Sequence, residues 1–125
     1  MRAVAHEAAG LVSSEFGRLE FICALHRHLR EGHLTARETR SVLDDLVADE
    51  EAGVWRWLPV TPPLLRTVCD RVNRLPRLAV LRAGDALHAG TAAEHGFREI
   101  YTNDRHLLAG CRHFGLRGID VVDSQ

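Results

Sequence analysis

The chain has 125 residues, 46% of them hydrophobic and 26% charged, and 17 acidic against 16 basic residues leave a formal net charge of −1. This is the length and composition of one globular domain, and it excludes disordered, collagen-like and coiled-coil chains. A charge so near zero excludes a global positive field, so any nucleic-acid site must be local.

Amphipathic helices alternate with short apolar runs, the pattern of a mostly parallel sheet covered by helices. Helical turns over Arg2 to Ala9 are expected to lead through Gly10 into the apolar Leu11 and Val12. Ser13 and Ser14 offer an N-cap for a helix to about Glu31, closed by Gly32, with Phe16, Leu19, Ile22, Cys23, Leu25 and Leu29 at helical spacing. Thr35 with Glu38 three residues on is a capping box, opening a helix that stops at Gly53. Val54 to Val60 reads as a strand, and Thr61 before Pro62 as the start of a helix carrying Leu64, Leu65, Val68 and Val72. After a loop from Arg74 to Arg82, Gly84-Asp85 opens a helix that ends at Gly96. A strand at Glu99 to Tyr101, a helix capped by Thr102-Asn103-Asp104 and closed by Gly115, and a last strand from Gly118 to Val122 complete the order. Nothing marks a linker, a repeat or a second domain, so residues 1–125 are expected to form one unit.

In alternating α/β chains the functional crevice lies at the carboxyl ends of parallel strands, where the following helices begin. Asp104, three residues past Tyr101, falls at such a corner, and Asp85 falls at the mouth of a helix after a loop. Each alone is accounted for as an N-cap or first-turn carboxylate favoured by the helix dipole, at about 1 kcal/mol or less. Glu20 falls at the rim of an apolar helix face, beside Phe16 and Cys23; alone it reads as a surface glutamate paired with an arginine. Together the three suggest a site for a hard divalent cation, which prefers carboxylate oxygens converging from different elements. Such a trio without a positive neighbour repels itself, whereas a bound metal both relieves the repulsion and can acidify water and neutralise a phosphate.

The segments Ser13-Ser14-Glu15-Phe16-Gly17-Arg18-Leu19-Glu20, Leu81-Arg82-Ala83-Gly84-Asp85-Ala86-Leu87-His88 and Ile100-Tyr101-Thr102-Asn103-Asp104-Arg105-His106-Leu107 resemble, in order and spacing, the PIN-domain nucleases of the VapC toxin type. Phe114 to Val121 resembles that family's last turn and strand. The resemblance implies a three-layer α/β/α domain and a Mg²⁺- or Mn²⁺-dependent endoribonuclease, the toxin of a toxin–antitoxin pair. It carries the metal carboxylates onto Glu20, Asp85 and Asp104, with Thr102 and Asn103 shaping the pocket. RNA is the implied substrate, and a small antitoxin and a second copy of the chain are the implied partners.

One feature of the family has no counterpart here. Members begin with a central hydrophobic strand ending in an aspartate, and no residue from Met1 to Gly10 occupies a comparable strand end, with Glu7 expected in a helix. The strands at Gly10 to Val12 and Arg98 to Tyr101 are then expected to flank a gap. A longer natural chain, another segment or subunit, or closure of the two edges would resolve it, and unpaired edges favour self-association. The alternative to an active nuclease is an inactive PIN-fold module that retains antitoxin or RNA binding.

Other residues point less far. All sixteen basic residues are arginines, and Arg82, Arg105 and Arg18 lie near the acidic motifs, where a guanidinium fork suits a phosphate. The eight histidines lack metal-ligand spacing and are read as structural or surface residues, with His88 and His106 closest to the acids. Ser13 and Ser14 read as caps rather than nucleophiles, and Trp55 and Trp57 as packing rather than base-stacking residues. Three cysteines without C-x-x-C spacing suggest reduced thiols. No run of about 18 apolar residues and no signal-peptide pattern occurs, so a cytoplasmic protein away from membranes is expected.

Overall fold

A computed structural model of the chain describes residues 5–7 and 10–122. The elements are β1 (Ala5–Glu7), β2 (Gly10–Ser14), α1 (Glu15–Arg30), α2 (Ala36–Glu51), β3 (Trp55–Leu58), α3 (Pro62–Asn73), α4 (Ala83–Glu94), β4 (Glu99–Thr102), α5 (Arg105–Gly110) with a 3-10 turn over Cys111–Phe114, and β5 (Arg117–Asp120). From Gly10 onward this is the expected order, in an α/β arrangement. The punctuation is legible in local chemistry. Ser14 caps α1 by accepting from Phe16 N at 3.2 Å. Thr35 and Glu38 make both bonds of the capping box, at 3.1 and 2.9 Å, and Thr61 caps α3. Gly32, Gly53, Gly96 and Gly115 follow helix ends with φ between 74° and 80°, where other residues are strained.

Among the described residues the strands make two small sheets instead of one continuous sheet. β2 pairs parallel with β3, β4 pairs parallel with β5, and β1 runs antiparallel along β2. The expected helical start is therefore overturned at Ala5–Glu7, which is a strand, so Glu7 is a strand residue; the rest of that expectation lies outside the described residues. β1 also comes beside β4, so chain borders the place where a gap was expected. Backbone donors and acceptors along β2 need partners, and three residues of strand supply them more readily than an isolated helical turn would. β3 is shorter than the expected Val54–Val60, because Pro59 cannot donate to a ladder, and β5 is shifted from the expected Gly118–Val122 to Arg117–Asp120, because its pairing with β4 begins at Glu99 and ends at Thr102.

α4 is the central support. Asp85 through Ala92 are all buried, as befits a helix that is apolar or small on every side. Its small residues let neighbours close in: a Cβ built on Gly90 would stand 2.4 Å from Val68 Cγ2 of α3. Around α4 gather Leu64 and Val68, Ile100 of β4, Leu107 of α5, and Phe114 and Leu116. Ile100 and Leu107, each 2% exposed, contribute about 1.5–3 kcal/mol apiece by burial. α1 turns differently from its apolar spacing. Gly17 and Leu25 are its buried residues, while Leu19, Cys23 and Leu29 are exposed. The inward stripe thus runs along the face that also carries Glu20. No helix among the described residues is long and apolar enough to cross a membrane.

Candidate functional site

Glu20 from α1, Asp85 from the first turn of α4 and Asp104 from the β4–α5 corner line one cavity of about 290 Å³, together with Phe16, Arg82 and Gly84. Residues separated by 84 positions in the sequence thus face a common space. The parallel pair β4–β5 and the helix that follows β4 put Asp104 at the carboxyl end of a strand, as the crevice rule for α/β folds requires.

Asp104 is held by its own neighbourhood. Its Oδ1 accepts from the backbone N–H groups of His106 and Leu107 at 2.9 and 3.0 Å, making it the N-cap of α5. Its backbone N–H donates to Thr102 Oγ1 at 3.0 Å, and Thr102 is almost fully buried. The other oxygen, Oδ2, is left to accept from Arg82 Nη2. Burial works against ionising this carboxyl, but the Leu107 N–H, the Arg82 guanidinium and the His106 N–H outweigh it and hold Asp104 below the usual aspartate range.

Asp85 is the third residue of α4 and not its N-cap, since Arg82 holds that position without a side-chain cap. The carboxylate still lies in the first turn, where the helix dipole favours it, and its side chain is only 10% exposed. Arg82 donates to it from Nε at 3.0 Å and from Nη2 at 3.5 Å. One guanidinium thus lies between two carboxylates. The hydrogen bonds to Asp85 and then to Asp104 raise the Arg82 pKa further above its ordinary value.

Glu20 reaches the cavity because α1 and α4 approach closely. A Cβ on Gly84 would lie 3.2 Å from the Phe16 ring and 3.4 Å from Glu20 Oε2, and one on Gly17 would lie 3.4 Å from His88 Cε1. Glu20 Oε1 bonds His88 Nε2, one turn beyond Asp85 on α4. A carboxylate only accepts, so Nε2 carries the proton in this contact. His88 Nδ1 is buried and has no hydrogen-bond partner among the described residues. The ring also packs against Phe16, with centroids 5.9 Å apart.

The expectation of a trio without a positive neighbour is therefore corrected. Asp85 and Asp104 share Arg82, and Glu20 has His88. Arg82, expected to hold phosphate, grips the acids instead. Arg18 likewise pairs with Glu50, at 2.7 and 3.2 Å. Asn103 and Arg105 adjoin Asp104 in sequence but do not line the cavity. His106 contributes only its backbone N–H to Asp104. Trp55 and Trp57 stack on each other, centroids 4.9 Å apart and planes 1° from parallel, and Trp57 Nε1 donates to Glu50 at 2.6 Å.

The role of Arg82 as a bridge was half visible, because its i,i+3 spacing to Asp85 is local; its contact with Asp104, 22 positions on, is not. Among the described residues, no three acid, histidine or cysteine side chains already surround one point as a metal site would. Two carboxylates do meet on one point, and a cation, the guanidinium, stands there. Hard carboxylate oxygens few in number fit Mg²⁺ or Mn²⁺, since Mg²⁺ commonly takes one or two carboxylates and fills its shell with water and substrate phosphate.

The family model for the PIN domain matches residues 1–111, and no curated protein matches the chain. With that match covering most of its length, the chain belongs to the PIN-domain family. The fold is a nuclease fold, and PIN domains generally use divalent metal ions and bind RNA.

Proposed function

We propose that this PIN domain, as a single unit over residues 1–125, is a Mg²⁺- or Mn²⁺-dependent endoribonuclease with Glu20, Asp85 and Asp104 as its metal carboxylates. The observation that carries the reading is the convergence of the three acids, from three elements, on one cavity. A bound divalent ion supplies Lewis-acid polarisation of the phosphate and a more acidic water. The chain supplies the rest. Asp104 is presented by its cap bonds and by Thr102, and Asp85 by the buried first turn of α4. Glu20 is steered by His88, and Phe16 forms an apolar wall of the cavity. In this reading Asn103 supports the pocket and Arg105 meets a substrate phosphate, both on the strength of their place beside Asp104 in the sequence.

The same proposal makes the chain the toxin of a toxin–antitoxin pair in the cytoplasm, with a small antitoxin that covers the acidic cavity. The free thiols of Cys23, Cys69 and Cys111 accord with a reducing compartment. Self-association, with a second copy of the chain as partner, rests in this reading on the family resemblance alone.

The test is cleavage of a mixed RNA pool with Mn²⁺ and with chelator. Cleavage is expected only with the ion, and Asp85→Asn is expected to lower the rate at least about 100-fold. Chelator-resistant cleavage, or an undiminished rate in the folded variant, would sink the reading. One observation favours the second reading, an inactive binding module: each of the three acids already has a hydrogen-bond partner in Arg82 or His88, so retention of the trio does not by itself demand an ion. RNA binding without Mn²⁺-dependent cleavage would select it.

A further inference from the structure

We infer that Arg82 is a built-in counter-ion that occupies the place of the metal, so that loading the site is an exchange of one cation for another. The inference rests on the proposed metal site and deepens it.

Its basis is an asymmetry between the acids and the arginine. Asp104 is anchored through Oδ1 by two backbone N–H groups, and Asp85 sits in a buried helical turn, with side chains 19% and 10% exposed. Neither can turn away without breaking a cap or opening packed structure. Arg82 ends the loop before α4, and its side chain is 60% exposed. It can swing into water without uncovering a cavity, and it brings three hydrogen bonds to the pair: Nε and Nη2 to Asp85, and Nη2 to Asp104.

Charge sets the direction of the exchange. One positive charge between two carboxylates leaves a negative excess, which a divalent ion cancels and a guanidinium does not. Without Arg82 or the ion, the fixed acids would face each other unscreened at the mouth of a helix. The arginine thus keeps the empty site assembled, and it competes with the ion for the same oxygens. A residue with a merely structural part in the site would, on removal, loosen the acids and weaken metal binding. Competition predicts the opposite sign.

The experiment measures Mn²⁺ binding by calorimetry on the full chain, at one pH and ionic strength, for wild type, Arg82→Gln and Arg82→Lys, together with melting of each without the ion. Exposed ion pairs of this kind, once removed, correspond to affinity changes of about two- to five-fold. Arg82→Gln is therefore expected to bind Mn²⁺ about two- to five-fold more tightly than wild type while melting lower in its absence. Arg82→Lys, which keeps the charge but not the fork, is expected in between. Equal or weaker binding by a folded Arg82→Gln, with wild type binding normally, would overturn the inference and leave the metal site standing. Absence of binding by wild type and both variants would instead remove the metal site, and the inference with it.

Discussion

Arg18 and Arg82 each grip a carboxylate with Nε and Nη2, yet the two clusters are built for different ends. On one flank Arg18 meets Glu50 alone, and the same glutamate takes the Trp57 Nε1–H at 2.6 Å. Donors and acceptor are matched, and the result is a clasp between α1, α2 and β3. At the other cluster Arg82 faces two acids, and a third, Glu20, lines the same cavity. That cluster has acid to spare. An arginine–carboxylate contact is structural when its charges close locally, and it becomes a candidate site when they do not.

The largest effect is expected from His88→Ala. The ring is buried, packs on Phe16 and is the partner of Glu20, so its loss leaves a cavity beside the site. Denaturant unfolding is expected to show a loss of about 2–4 kcal/mol. A change below about 1 kcal/mol would mean that α1 and α4 do not depend on this contact.

Next comes the clasp. Glu50→Leu leaves the Arg18 fork and the Trp57 N–H without their acceptor and is expected to cost about 1 kcal/mol. Mn²⁺ affinity should stay unchanged. An equal fall in both quantities would erase the distinction between the two clusters.

Asp104 sharpens the difference further, because it serves both as a helix cap and as a member of the acid cluster. Asp104→Ala is expected to cost about 1 kcal/mol, and Asp104→Asn only a few tenths, since asparagine caps equally well. Both Asp104 and Glu50 titrate below their ordinary range, Glu50 chiefly through its hydrogen bond from Arg18. Each therefore contributes stability that is complete above the ordinary carboxylate range and is lost as pH falls through the lowered value. Neutralising either acid should flatten the acid limb of a stability–pH curve, and an unchanged limb in Asp104→Asn would contradict the role given to Arg82 and the cap bonds.

Most helix boundaries were legible because their signals are local. Thr35 with Glu38, Thr61 with Pro62, and the terminal glycines each decide a boundary within four residues. The start of the chain was misread for the opposite reason. Ala5–Glu7 pairs with β2 and lies beside β4, and the β4 partner is distant in sequence. Leu19 and Leu29 keep helical spacing yet face solvent, since spacing identifies a stripe but not which neighbour covers it.

At the site, the acids were legible through the resemblance of three segments, but their hydrogen-bond partners were not. Arg82 reads as a substrate-facing arginine until Asp104 is brought across from the β4–α5 corner. His88 reads as one of eight histidines until Glu20, 68 positions away, is found against it. Contacts of that sequence separation depend on how α1 and α4 close around Gly17 and Gly84, which no short motif records.

The convergence of the acids on one ion is tested most directly by titrating Mn²⁺ into isotopically labelled protein and following paramagnetic broadening of the backbone amide signals. The account predicts that signals of Glu20, Asp85, Asp104 and their immediate neighbours disappear first, at a single saturable site, while those around Arg18 and Glu50 persist. Broadening spread evenly over the surface, or centred on the Glu50 clasp, would contradict it.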